Sequence, residues 1–164
     1  MIRLALLSLL LMGACSSPQS SVQDPNVQSD FSYQADKDQI LFFNLTIQKV
    51  TATQKDPIQI VQTIVSDGKI KKDFGSKADY RPYQLLCSFL DTEQTLLKQT
   101  AIAHPLFRRY EYLGEDGQMT SKMVTAESGQ FTLRTQLTAG IHYLKVEEIL
   151  ENGPPQLLQI LKLQ

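Results

Sequence analysis

From Gln39 the chain alternates. Leu41, Phe43, Leu45 and Ile47 are interleaved with Phe42, Asn44, Thr46 and Gln48, so one face of the segment is uniformly apolar at a period of two. That period belongs to a β-strand, whose successive side chains point to opposite faces. Pro57 opens a β-branched run from Ile58 to Val65, closed by Ser66, Asp67 and Gly68, with a short continuation expected over Lys69 to Phe74. Further runs follow over Tyr83 to Leu90, Thr95 to Ala103, Phe107 to Leu113 and Met119 to Ala126. Gly114 to Gly117 gives a strong turn signal before the last of these. The clearest strand is Gln130 to Leu137: Phe131, Leu133, Thr135 and Leu137 share one side, and Gln130, Thr132, Arg134 and Gln136 take the other. Thr138 to Gly140 turns the chain into Ile141 to Leu150, and Asn152 to Pro155 turns it into Gln156 to Leu163.

Short runs about ten residues apart, separated by Gly, Pro, Asp and Asn, predict an all-β fold. The expected architecture is a single antiparallel, immunoglobulin-like β-sandwich of about 7–9 short strands. The alternative is α+β, with one or two helices in 84–102 or 142–151. Leu86, Phe89, Leu90, Leu96 and Leu97 partly fit a helical period, and Asn152-Gly153 resembles a helix end.

The chain before Gln39 has a different texture. Arg3 supplies one positive charge, Leu4 to Met12 is apolar apart from one Ser, and Gly13 and Ala14 are small. This is the order of a secretory signal, and its apolar stretch is far short of the ~20 residues that span a bilayer. Met12-Gly13-Ala14-Cys15 resembles the lipobox of bacterial lipoproteins, although the family prefers Leu where Met12 stands. The resemblance implies that the Cys15 thiol carries a diacylglycerol, that residues 1–14 are removed, and that the new amino group is often acylated. Ser16, being other than Asp, resembles the outer-membrane sorting preference of enteric bacteria. Residues 15–38, rich in Ser, Gln, Asp and Pro, read as the lipidated Cys and a flexible tether, because such a composition cannot bury enough apolar area to offset its conformational entropy. Phe31 and Tyr33 are the first candidates to touch the domain, which spans 39–164. The expected location is the cell envelope, lipid-anchored at the outer membrane.

Composition adds mostly exclusions. The 164 residues carry a formal net charge of −1, and loss of Arg3 leaves 15 basic and 17 acidic side chains. Nucleic acid usually requires a strongly basic face, so it is not an expected partner. The nearest basic group is Lys69, Lys71, Lys72, Lys77 and Arg81, read as a solvated face. With Cys15 consumed by lipid, Cys87 stands alone, so no intrachain disulfide forms. It reads as a buried core thiol.

No nucleophile elbow, zinc-helix or phosphate-loop motif occurs, and no cofactor, metal site or catalytic residue is expected. Asp36 with Asp38, and Glu115 with Asp116, read as turn or domain-entrance residues rather than calcium ligands. Asn44-Leu45-Thr46 matches a glycosylation sequon by letter and reads as coincidence on a strand. Only His104 and His142 are available as bases, and an enzyme would need one of them beside Cys87, a Ser or a carboxylate in a cleft.

The most unusual segment is His104-Pro105 followed by Arg108, Arg109, Tyr110, Glu111 and Tyr112. Arg108, Arg109, Tyr110 and Tyr112 are candidate binding residues, since Arg and Tyr make good recognition anchors. Otherwise the segment is an edge strand guarded by opposite charges. Tyr110-Glu111-Tyr112, Gly129-x-Phe131 and the closing hairpin also resemble the amino-terminal β-sandwich domains of certain bacterial zinc peptidases, over residues 80–164. That resemblance implies an accessory sandwich without protease activity. The expected role is a non-catalytic protein-binding or scaffolding module, the alternative a carrier or chaperone holding an apolar ligand in a β-domain cavity.

Overall fold

The computed structural model of the protein describes residues 31–49, 57–71, 81–151 and 153–164. The signal segment, Cys15, the tether up to Asp30, Lys77 and the expected strand continuation over Lys72 to Phe74 lie outside the described residues.

Nine strands and no helix are described: β1 Gln39–Gln48, β2 Ile58–Asp67, β3 Gln84–Leu90, β4 Leu96–Ala103, β5 Phe107–Leu113, β6 Met119–Thr125, β7 Ser128–Gln136, β8 Tyr143–Ile149 and β9 Gln156–Lys162. All pair antiparallel, in sheets of order β2-β1-β7 and β4-β3-β8-β9, with β5-β6 forming a separate two-stranded sheet. The chain is an all-β sandwich. Both segments that could have been helical are strands: 84–102 folds into β3 and β4, and 142–151 contains β8. The leucines of the first segment are split by the Asp91–Thr95 turn. There the Asp91 carboxylate accepts from the Glu93 and Thr95 N–H groups at 2.9 and 2.8 Å. The four-stranded sheet orders its strands as an immunoglobulin C′-C-F-G sheet does, whereas the first strand of the smaller sheet is central here and lies at the edge in that family.

The core lies between the two larger sheets. Leu41, Phe43, Leu45 and Ile47 of β1 and Leu133 of β7 face Leu85, Cys87 and Phe89 of β3 and Leu144 and Val146 of β8, all almost fully buried. Phe43 stacks on Phe89 with ring centroids 6.2 Å apart, and Phe31 meets Phe43 edge-on at 6.0 Å. Phe31 thus joins the core ahead of β1, while Tyr33 stays exposed. β3 is a central strand and buries both faces: Leu86, Ser88 and Leu90 point away from the core yet are shielded by β4 and β8.

A bulge explains why β2 does not keep a single in-out alternation along its length. Asn44 pairs with Gln62 but Leu45 pairs with Ile60, so Val61 is the extra residue and the inward positions shift by one. Ile58 and Ile60 face inward before the bulge, and Val61 and Ile64 are left exposed. Across the outer face of this sheet Thr132 donates to Asn44 Oδ1 at 2.8 Å, and Asn44 Nδ2 donates to Gln62 at 3.0 Å. The sequon Asn therefore links three strands.

Candidate functional site

β5 and β6 make a hairpin that leaves the sandwich. Each pairs only with the other among the described residues, in the register Arg108↔Val124, Tyr110↔Lys122 and Tyr112↔Thr120. The turn is dictated by Glu115-Asp116-Gly117. Gly114 N–H donates to Gln118 O at 2.8 Å, Asp116 Oδ1 accepts from the Gln118 N–H at 3.0 Å, and Gly117 sits at φ +74°, where a side chain would be strained. Asp116 is thus a turn residue. Strand alternation places Arg108, Tyr110 and Tyr112 on one face of this arm, and Phe107, Arg109, Glu111 and Leu113 on the other. The structure therefore groups three of the four candidate binding residues and sets Arg109 behind them. Tyr110 and Tyr112 are 51% and 49% exposed, and the Leu113–Met119 pair at the tip is 67% and 68% exposed.

The arm is rooted by residues just before it. Leu106 lies in the core, and its carbonyl accepts from Ala126 N–H at 2.8 Å. Phe107 packs against the His104 ring at 4.7 Å and the Tyr83 ring at 5.0 Å. His104 is 2% exposed, and its Nδ1 accepts from the Leu106 N–H at 3.2 Å across Pro105. A side-chain acceptor meeting the N–H two residues on is the geometry of an Asx turn, made here by imidazole. On the other side of the ring Nε2 lies 3.4 Å from Glu148 Oε2 without hydrogen-bond geometry. Gly129 in β7 lies against Pro105, where a Cβ would come within 2.9 Å of the proline side chain and 3.0 Å of its carbonyl oxygen. Tyr83 adopts φ +60° and hydrogen-bonds Glu151; that bond, aided by burial and the carboxylate charge, raises its pKa.

Two hollows flank this root. One, of about 340 Å³, is walled by Ile47, Leu106, Leu150 and Leu158, with His104 and Glu148 at its polar side. The other, of about 700 Å³, lies between Tyr83, Phe107, Arg109, Met123 and Glu151. Between the sheets Phe43, Leu45 and Leu133 are almost fully buried.

His104 thus has a carboxylate nearby. Cys87, however, is in the core, its thiol pushed up to about 12 by burial alone. His142 lies at the opposite end of β3, where its backbone bonds Leu90 and Leu163. Burial makes Cys87 inert: in the folded chain iodoacetamide at pH 8 should leave it unmodified, and urea should expose it. The sign for stability follows. The buried neutral thiol supports the fold fully below its ordinary value of 9.0, and that support is lost as pH rises toward 12.

Sequence reasoning singled out His104-Pro105 but not the turn-capping role of the imidazole, nor Glu148, nor the strained Tyr83. The available signal was the proline, which holds its predecessor extended and invites a local cap. Among the described residues no group of three or more His, Cys, Asp or Glu converges, and no helix is long and apolar enough to cross a membrane. No family model, curated protein or solved structure matches the chain.

Proposed function

We propose that the protein is a lipid-anchored module of the bacterial cell envelope whose β5–β6 arm binds other proteins. The observation that carries the reading is a hairpin that, among the described residues, pairs only with itself and presents Tyr110, Tyr112, Leu113 and Met119 to solvent. A two-stranded hairpin is marginal in water, and large exposed apolar groups on one are a recognition surface before they are a structural asset. Anchorage at the outer membrane rests on Met12-Gly13-Ala14-Cys15 and Ser16. A diacylglycerol and an amide-linked acyl chain together hold a protein stably where one chain would be marginal. The Ser-, Gln- and Pro-rich stretch between Cys15 and Phe31, where the chain joins the core, is the tether that would keep the sandwich clear of the headgroups.

The test combines the two halves. Cys15→Ser should move the protein from the membrane fraction to the soluble one. Tyr110→Ala with Tyr112→Ala should keep it at the membrane and strip away most envelope proteins captured after crosslinking, since anchors of this type carry about 2 kcal/mol or more each. Unchanged capture by the double variant would refute the arm's role, and an unmodified thiol at Cys15 would refute the anchor.

A carrier reading has one observation in its favour, the apolar hollow beside His104 and Glu148 at the sandwich end. Lipid retained on the protein in native mass spectrometry would support it.

A further inference from the structure

We propose that the arm's first partner is a second copy of this chain, joined edge to edge through β5 in an antiparallel pairing centred on Tyr110. The inference rests on the reading of the arm as the interaction surface and names what that surface takes.

The backbone supplies the phase. Ladder bonds at Gly114/Gln118 and Leu106/Ala126 mark the hydrogen-bonded pairs of the hairpin, and alternation puts Arg108, Tyr110 and Tyr112 in the same class. Their N–H and C=O groups face β6. Those of Arg109 and Glu111 face away from β6, along an edge where no described strand pairs. An antiparallel copy centred on Tyr110 sets Arg109 opposite Glu111 of the other copy and Glu111 opposite its Arg109. Both positions carry outward-facing backbone groups, so each pair exchanges two bonds. On the other face Tyr110 meets its own counterpart at the close, non-hydrogen-bonded spacing, and Arg108 lies beside Tyr112.

Charge selects this register. Moving the pairing by two residues opposes Arg109 to Arg109 or Glu111 to Glu111, and like charges directly opposite are unfavourable. Moving it by one turns every side chain over and misaligns the backbone groups. The free edge of β6 offers no such choice, because Lys122 is its single charge. All of Arg108, Arg109, Tyr110, Glu111 and Tyr112 are exposed in the single chain and ready to meet a partner. The product is a four-stranded sheet, which the isolated hairpin lacks and which hydrogen-bonded strands need for independent stability. Its Tyr110 and Tyr112 side chains from both copies form one aromatic face.

The test uses the full chain in membranes. Arg108→Cys, Arg109→Cys, Tyr110→Cys, Glu111→Cys and Tyr112→Cys are each exposed to a mild oxidant and run on non-reducing gels. Cys87 is buried and Cys15 is common to all five, so differences report the arm. Tyr110→Cys should dimerise several-fold more than its neighbours, since opposed Cα atoms at such a site lie about 4.5 Å apart, within disulfide reach. Adding Arg109→Glu or Glu111→Arg alone should cut that yield about tenfold, and adding both should restore it, because the double reversal re-forms both ion pairs. A maximum at any other position, uniformly low yield, or no rescue by the double reversal overturns the proposal. Such a failure, with capture of other envelope proteins still lost in Tyr110→Ala with Tyr112→Ala, would leave the arm as a binder of different proteins. If that capture were also unchanged, the reading of the arm itself would fall.

Discussion

Phe43→Ala is expected to lower the free energy of unfolding by about 3–5 kcal/mol, the range for truncating a fully buried aromatic. Phe43 sits on the central strand of the smaller sheet with no exposure, and it is the side chain through which both sheets and the entering chain meet. It stacks on Phe89 of β3 and receives the edge of Phe31. Such aromatic pairs contribute about 0.5–1.5 kcal/mol beyond the area they bury. The space left behind is bounded by strands tied into two ladders, so collapse around it is limited. Urea unfolding followed by circular dichroism measures the loss as a shift in midpoint at constant slope. Phe31→Ala should cost less, because Phe31 reaches the core from a segment outside any sheet. A loss below about 1 kcal/mol for Phe43→Ala would mean that the sheets do not pack through this ring.

His104→Leu should cost about 2–3 kcal/mol, and His104→Asn clearly less. The leucine fills the volume but removes the acceptor at Nδ1, leaving the Leu106 N–H unpaired at a buried site, a loss of about 1–3 kcal/mol. It also sets an apolar group against Glu148, whose carboxylate lies 3.4 Å from Nε2. Asparagine can present its carbonyl oxygen to the same N–H in an ordinary Asx turn. The ranking of the two variants therefore separates a hydrogen-bond role from a packing role; equal losses would make packing the cause. The same bond fixes the direction in which the arm leaves the sandwich. In His104→Leu, amide exchange at Ala126, bonded to the Leu106 carbonyl, should accelerate well before global unfolding.

Much of the fold was legible because strand periodicity is local. Gln39–Gln48 and Ser128–Gln136 bury alternate side chains, as their spacing demands, and Thr135 is buried with its apolar neighbours because parity outranks polarity at that position. The leucine-rich 84–102 stretch was ambiguous. Central strand β3 is apolar on both faces, and such a run cannot be told from a buried helix by periodicity. The bulge at Val61 was hidden for a related reason: it is a mismatch between two strands, and a single strand's sequence carries no record of its partner's count.

The candidate site divides in the same way. Arg108, Tyr110 and Tyr112 share a face because each strand turns its side chains over at every residue, a property of the chain itself. The covalent pattern also carries the Gly117 turn and the proline after His104. That β5 and β6 pair with no other described strand is a property of the assembled sandwich, because it depends on where the seven strands of the two larger sheets find their partners. The meeting of His104 with Glu148, and of Tyr83 with Phe107 and Glu151, belongs to that level too. Phe107 and Glu148 lie on different strands and Tyr83, His104 and Glu151 in the connections beside them, so only the folded arrangement brings them together.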